Sequence, residues 1–140
     1  MRIIRTDNVL APAGHYSQAL EHEGFVYVSG QLPVQSDGTH CPDLAFEDQT
    51  RRALSNVLAI VKAAGGESGS LLRITAYIVG VENWPSFNGV YTRILGDAKP
   101  ARTVVPVPEL HYGYLVEIDA VAFIQPSHRP GNTMLSEDGK

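Results

Sequence analysis

The chain has 140 residues, 44% of them hydrophobic and 19% charged, with a formal net charge of −4. That length suits one domain with a sizeable core, and the composition excludes a disordered chain or one that crosses a bilayer as apolar helices. The acidic balance argues against unassisted binding of nucleic acid, whose affinity comes largely from Lys and Arg on phosphates.

A single cysteine, Cys41, excludes an intrachain disulfide framework and fits a reducing compartment, where it reads as an incidental loop thiol. The start, MRIIRTDNVL, has two arginines but no apolar h-region or small-residue cleavage site. A cytoplasmic protein without a secretory signal is expected.

Along the chain, residues 17–20 (SQAL) and the run FVYVSG after Glu23-Gly24 read as two strands of a hairpin. Phe25, Tyr27 and Ser29 then share one face, and Val26 and Val28 the other. The stretch VQSDGTHCPD is rich in turn formers and reads as a loop. From Leu44 to Ala64, Ala53, Leu54, Val57, Leu58, Val61 and Ala64 recur at helical spacing, with Asp43 as expected N-cap and Gly65-Gly66 as the stop.

LLRITAYIVG (71–80) alternates as a strand, with Ile74, Ala76 and Ile78 on one face. Asn83, Trp84 and Pro85 have the chemistry of a helix start, and Trp84, Phe87, Val90, Tyr91 and Ile94 form the apolar stripe of a helix that Gly96 ends. Two strands follow, ARTVVPV (101–107) and LVEIDAVAFI (115–124), separated by the turn-prone PELHYGY. Val116, Ile118, Ala120, Ala122 and Ile124 make an apolar face suited to packing under helices. The opposite face mixes Leu115, Val121 and Phe123 with Glu117 and Asp119, an arrangement that calls for a covering partner subunit. The remaining QPSHRPGNTMLSEDGK has the composition of a mobile tail or of an arm lying across a neighbour. The domain is therefore expected over residues 1–124, with 125–140 as its tail.

This order of elements predicts an α+β layer with two helices on one face of a sheet. An antiparallel pairing of 101–107 with 115–124 would set Arg102 directly opposite Glu117 on the face away from the helices. Two readings of that pair stay open on residue chemistry alone. One is a structural ion pair at a subunit interface. In the other, Arg102 receives a ligand carboxylate in its bidentate fork while Glu117 handles a proton or orients water.

The segments AGHYSQAL, FVYVSGQLP, QTRRALSNVLAIVKAAGG, RITAYIVGVENWPSFNGVY, PARTVVPV and LVEIDAVA, collinear from about residue 6 to 124, resemble the Rid (YjgF/RidA) family of enamine/imine deaminases. The resemblance implies a chorismate-mutase-like α+β fold, a mixed sheet with two helices on one face. It further implies a homotrimer with a central barrel and clefts between subunits. Members with the family's arginine hydrolyse 2-imino acids, formed from enamines such as 2-aminoacrylate, to 2-oxoacids and ammonia. By position Arg102 would hold the substrate carboxylate and Glu117 would position the water. Tyr16, Ser29 and Asn88 match pocket residues. Val104 stands where many members have cysteine, so only a backbone role carries over there. No metal or organic cofactor is needed, because the imine carbon is already electrophilic.

The segment between Asn88 and Arg102 is shorter than in typical members, and Pro106, the loop of His111, Tyr112 and Tyr114, and the tail are unusual. Substrate size is accordingly open, with aminomuconate-type deaminases and aminoacrylate-processing proteins among the relatives. His15 can border the cleft or be solvated, while His22, His40, His111 and His128 show no ligand spacing, so no metal site is expected. Tyr112 and Tyr114 suit an interface or pocket rim, and Asp119 a structural role. Besides the hydrolase, a small-carboxylate-binding regulatory module using the same cleft and a ribonuclease are the competing classes; the net charge counts against the last.

Overall fold

The computed structural model describes residues 1–125. Six strands and two α-helices follow one another as β1 (Arg2–Ile4), β2 (Ala19–His22), β3 (Phe25–Gln31), α1 (Phe46–Ala64), β4 (Leu71–Val79), α2 (Trp84–Leu95), β5 (Ala101–Val107) and β6 (Val116–Phe123). Together they make the expected α+β layer. The strands form a single mixed sheet in the order β1-β2-β3-β6-β4-β5, with β4 and β5 parallel and the other neighbours antiparallel.

Alternation along the strands divides the sheet into two faces. Val26, Val28, Ile74, Ala76, Ile78, Val116, Ile118, Ala120 and Ala122 are buried with Leu54, Val57, Ile60 and Val61 of α1 and with Phe87 and Leu95 of α2. Each fully buried aliphatic or aromatic side chain of this core contributes about 1.5–3 kcal/mol. On the opposite face Phe25 meets Phe123 edge-on at 5.1 Å, and Tyr27, paired with Val121, is 53% exposed. Among the described residues no helix covers that side, as the mixed apolar and acidic face of β6 foreshadowed.

The hairpin of β2 and β3 turns at Glu23 and Gly24, both with positive φ, as a type I′ hairpin turn requires. Its first strand runs two residues later than SQAL suggested. The carbonyls of Ser17 and Gln18 are instead taken by the Ser29 hydroxyl and the Ser29 amide, at 2.7 and 2.9 Å. Strand β1 has no counterpart in the sequence reading; three residues are too few to show a period.

Asp43 does not cap α1. The N-cap is Ala45, because the buried Gln49 donates its side-chain amide to the Pro42 and Leu44 carbonyls and holds residues 42–45 as a turn. The stop is as expected: Gly65 adopts φ 108°, and the amides of Gly65 and Gly66 bond back to Lys62 and Val61. Helix α2 begins after Asn83, whose side chain bonds back to the Val79 carbonyl instead of capping the helix.

The register expected for Arg102 and Glu117 does not occur. Strand β5 reaches the sheet through α2 and lies parallel to β4 at the sheet edge, while β6 occupies the other side of β4. Arg102 is opposite Ile74 and Glu117 opposite Tyr77, so β4 separates them. Nothing in the local pattern of two neighbouring strands reveals that a third will be inserted between them. From residue 126 on, the expected tail lies outside the described residues.

Candidate functional site

Arg102 is the second residue of the edge strand β5 and lies on the helix face, in register with the buried Ile74. A side chain on that face would ordinarily enter the core. At the sheet edge it instead reaches outward across α2: its Nη1 donates to Asn88 Oδ1 at 2.8 Å, and its Cζ sits 5.0 Å from the Tyr91 ring and 5.7 Å from the Phe87 ring. These contacts hold a charged fork at the surface with its other donors free of protein partners among the described residues. Val104, two positions on, is 9% exposed, so its side chain belongs to the core and only its backbone could meet a ligand.

Glu117 lies on the other face of β6, half-buried, with no hydrogen-bond partner among the described residues. Burial raises its pKa above the ordinary carboxylate value, the nearby charge of Asp119 raises it further, and His111 pulls it back. Asp119 is raised too, chiefly by burial, while the Tyr77 hydroxyl, 3.5 Å from its Oδ2, opposes the shift. Room for the Glu117 carboxylate comes from Gly30, at the irregularity where β3 shifts register against β6; a Cβ there would stand 2.6 Å from Glu117 Oε2.

A cavity of about 700 Å³ opens beside this carboxylate, lined by Tyr16, Ser29, Gly30, Gln31, His40, His111, Tyr112 and Glu117, with residues 9–14 on another side. The buried Gln18 ties down part of that last segment. It accepts from the Thr6 amide and donates to the carbonyls of Thr6, Val9 and Leu10 at 3.1–3.2 Å. Tyr16 is 54% exposed at the cavity, and the Ser29 hydroxyl is committed to Ser17.

The six residues singled out from sequence thus fall into two groups. Tyr16, Ser29 and Glu117 share one cavity, while Arg102, Asn88 and Val104 belong to the helix side of the edge strand. Arg102 and Glu117 are three residues apart along β4 and two strand spacings apart across it, or roughly 14 Å between backbones, and they project to opposite faces. Within one chain they cannot hold the same small ligand. His40 and Gly30 were not among the expected site residues, His111 was expected only as an unusual loop residue, and Tyr112 was expected at an interface or pocket rim and does line the cavity. The glycine in SGQ was the one signal for Gly30, whereas nothing local joins His40 to a loop 70 residues away. His15, read as a possible cleft residue, is not among the cavity-lining residues. Among the described residues no group of three or more His, Cys, Asp or Glu side chains could hold a metal ion, and no helix is long and apolar enough to cross a membrane.

The class is an α+β protein of the YjgF/RidA type, a mixed six-stranded sheet with two helices on one face. The sequence profile of the family described as endoribonuclease L-PSP matches residues 6–124, and the chain belongs to that family, which takes in the YjgF, RidA and RutC proteins. A RutC family protein of Pyrococcus horikoshii is 35% identical over 121 residues, covering 86% of this chain and 96% of the relative. Escherichia coli TdcF, solved with bound serine, is 31% identical and superposes with a TM-score of 0.84 over 89% of this chain and all of that one. RidA from an Antarctic Psychrobacter gives the same identity, TM-score and coverage.

Proposed function

We propose that this chain is a hydrolytic deaminase of reactive enamine/imine intermediates, a cytoplasmic homotrimer of single domains spanning residues 1–124, with its active sites between subunits. In each site Arg102, steadied by Asn88, would come from one subunit, and Glu117, with Tyr16 and Ser29, from the next. The arginine fork takes the substrate carboxylate. Glu117 accepts a proton from water as the water oxygen bonds to the imine carbon and passes it to the nitrogen; it then takes the remaining hydroxyl proton and delivers it to the nitrogen as the C–N bond breaks and the carbonyl forms. The balance is one 2-imino acid and one water to one 2-oxoacid and one ammonia, with no redox change.

The observation that carries this reading is the state of Glu117: a half-buried carboxylate without a hydrogen-bond partner among the described residues, facing a cavity, its proton affinity raised by its surroundings. Three further features support it. Arg102 is exposed and oriented on the opposite face, the uncovered sheet face bears Phe25 and Tyr27, and the related TdcF holds serine, an α-amino carboxylate of the expected substrate size.

Mixed assembly tests the proposal. Arg102→Ala and Glu117→Ala are each expected to abolish 2-oxoacid release from 2-aminoacrylate generated in situ. After denaturation and refolding together in equal amounts they are expected to recover about a quarter of parent activity. Every mixed trimer then contains one intact site, whichever way round the interface runs, and three-quarters of the trimers are mixed. No recovery from a mixture that reassembles to parent size would sink the two-subunit site. Ligand binding lost in Arg102→Ala, with no turnover of any imine by the parent, would make the chain a binding module instead.

A further inference from the structure

The cavity beside Glu117 has a wall that imine hydrolysis does not require. The rings of His111 and Tyr112 stack at 3.7 Å and 20°, and the ring of His40, from the loop before α1, lies 4.2 Å from Tyr112 at 34°. All three line the cavity. The stack is built rather than draped. Tyr114, 1% exposed, has its hydroxyl 3.0 Å from His40 Nδ1 and accepts the Cys41 amide at 3.1 Å, which fixes the position of His40 from behind. Tyr112 is held at φ 64°, a conformation that non-glycine residues seldom adopt, while 48% exposed. An exposed aromatic ring on a strained backbone is unfavourable on both counts, and such strain tends to gather where a ligand is gripped.

The stack is also close to the chemistry. Glu117 and the three rings line the same cavity, so a molecule reacting at that carboxylate shares its space with the stack. On another side the segment containing Leu10 and Pro12 supplies an apolar surface. A cavity of about 700 Å³ lies within the range that encloses drug-sized ligands, well beyond the needs of a three-carbon imino acid.

We propose that the His40–Tyr112–His111 stack is a specificity wall that selects 2-imino acids carrying a flat aromatic side chain, such as the imine of phenylalanine. This rests on the deaminase reading above and adds to it the class of substrate. Ring–ring contact with the wall would favour an aryl over a methyl side chain by about tenfold, on top of the apolar area buried.

The test compares kcat/KM for imines made in situ by an amino acid oxidase from L-phenylalanine and from L-alanine. The parent is expected to prefer the phenylalanine-derived imine by at least about tenfold. Tyr112→Asn, which removes the ring but tolerates positive φ, should lower that ratio about tenfold, with a thermal unfolding curve establishing that the variant is folded. A parent that prefers the alanine-derived imine, or a ratio unmoved in the variant, overturns the proposal. Saturation-transfer NMR with phenylpyruvate and pyruvate separates this failure from that of the deaminase reading. Should no imine be hydrolysed, preferential binding of phenylpyruvate that Tyr112→Asn removes still upholds the wall, and equal binding of the two acids refutes it.

Discussion

Gly30→Ala offers a way to move the Glu117 carboxylate without altering its chemistry. The added Cβ would lie 2.6 Å from Oε2 and 3.2 Å from the carboxyl carbon, whereas ordinary contact begins at 3.4 Å, so the oxygen must retreat by about 0.8 Å. Gly30 is not among the glycines with positive φ, so alanine meets no backbone strain there. The obstruction is the far end of a flexible side chain, which swings aside cheaply, and alanine recovers part of the roughly 0.5–1 kcal/mol that glycine costs within a strand. Stability should therefore change by no more than about 1 kcal/mol, a few degrees in Tm. Catalysis is far less tolerant, since a misplacement of about 1 Å at a reacting group can cost a hundredfold. The expected result is a fall in kcat of about 10- to 100-fold for imine hydrolysis, with an unfolding midpoint close to the parent's. Parent-like kcat in the folded variant would refute the assignment of Glu117 as the group that positions water.

Glu117→Gln should be more stable than the parent at neutral pH and equal to it in acid. The pKa of Glu117 is raised in the fold, so its protonated form is the favoured one; the associated stability is complete below the unfolded value and is lost as pH rises through the folded one. Thermal melts at pH 4 and pH 8 check this, and a variant less stable than the parent at pH 8 contradicts it. Asn88→Ala removes the tether on Arg102 and should raise KM about fivefold, with a smaller change in kcat, in steady-state kinetics. An unchanged KM would mean that the arginine is held by its ring contacts alone. Gln49→Ala strips three hydrogen bonds from a fully buried side chain, including the 2.8 Å bond from the Leu115 amide, and should cost about 2–4 kcal/mol in urea unfolding.

Much of this protein was determined locally. Apolar spacing at 53–64 and 84–94 specified the two helices, Gly65 and Gly96 their ends, alternation from Ile74 to Val79 one inner strand, and strict alternation at 116–123 another together with the face it buries. The collinear motifs fixed the family, because side chains at that spacing need no knowledge of strand order to be recognised. Strand pairing is a different kind of information. Periodicity says which residues of a strand share a face, but not which strand lies alongside or, for a strand as mixed as β5, which face the helices cover. With β4 between β5 and β6, Arg102 and Glu117 are parted onto opposite faces. An arginine that the expected pairing turned away from the helices proved to start on the helix face and to reach solvent only because β5 is an edge. The same holds for His40 and Tyr112, 72 positions apart in the chain and 4.2 Å apart between rings: their meeting depends on Tyr114 holding two loops together, a long-range contact that no local pattern encodes.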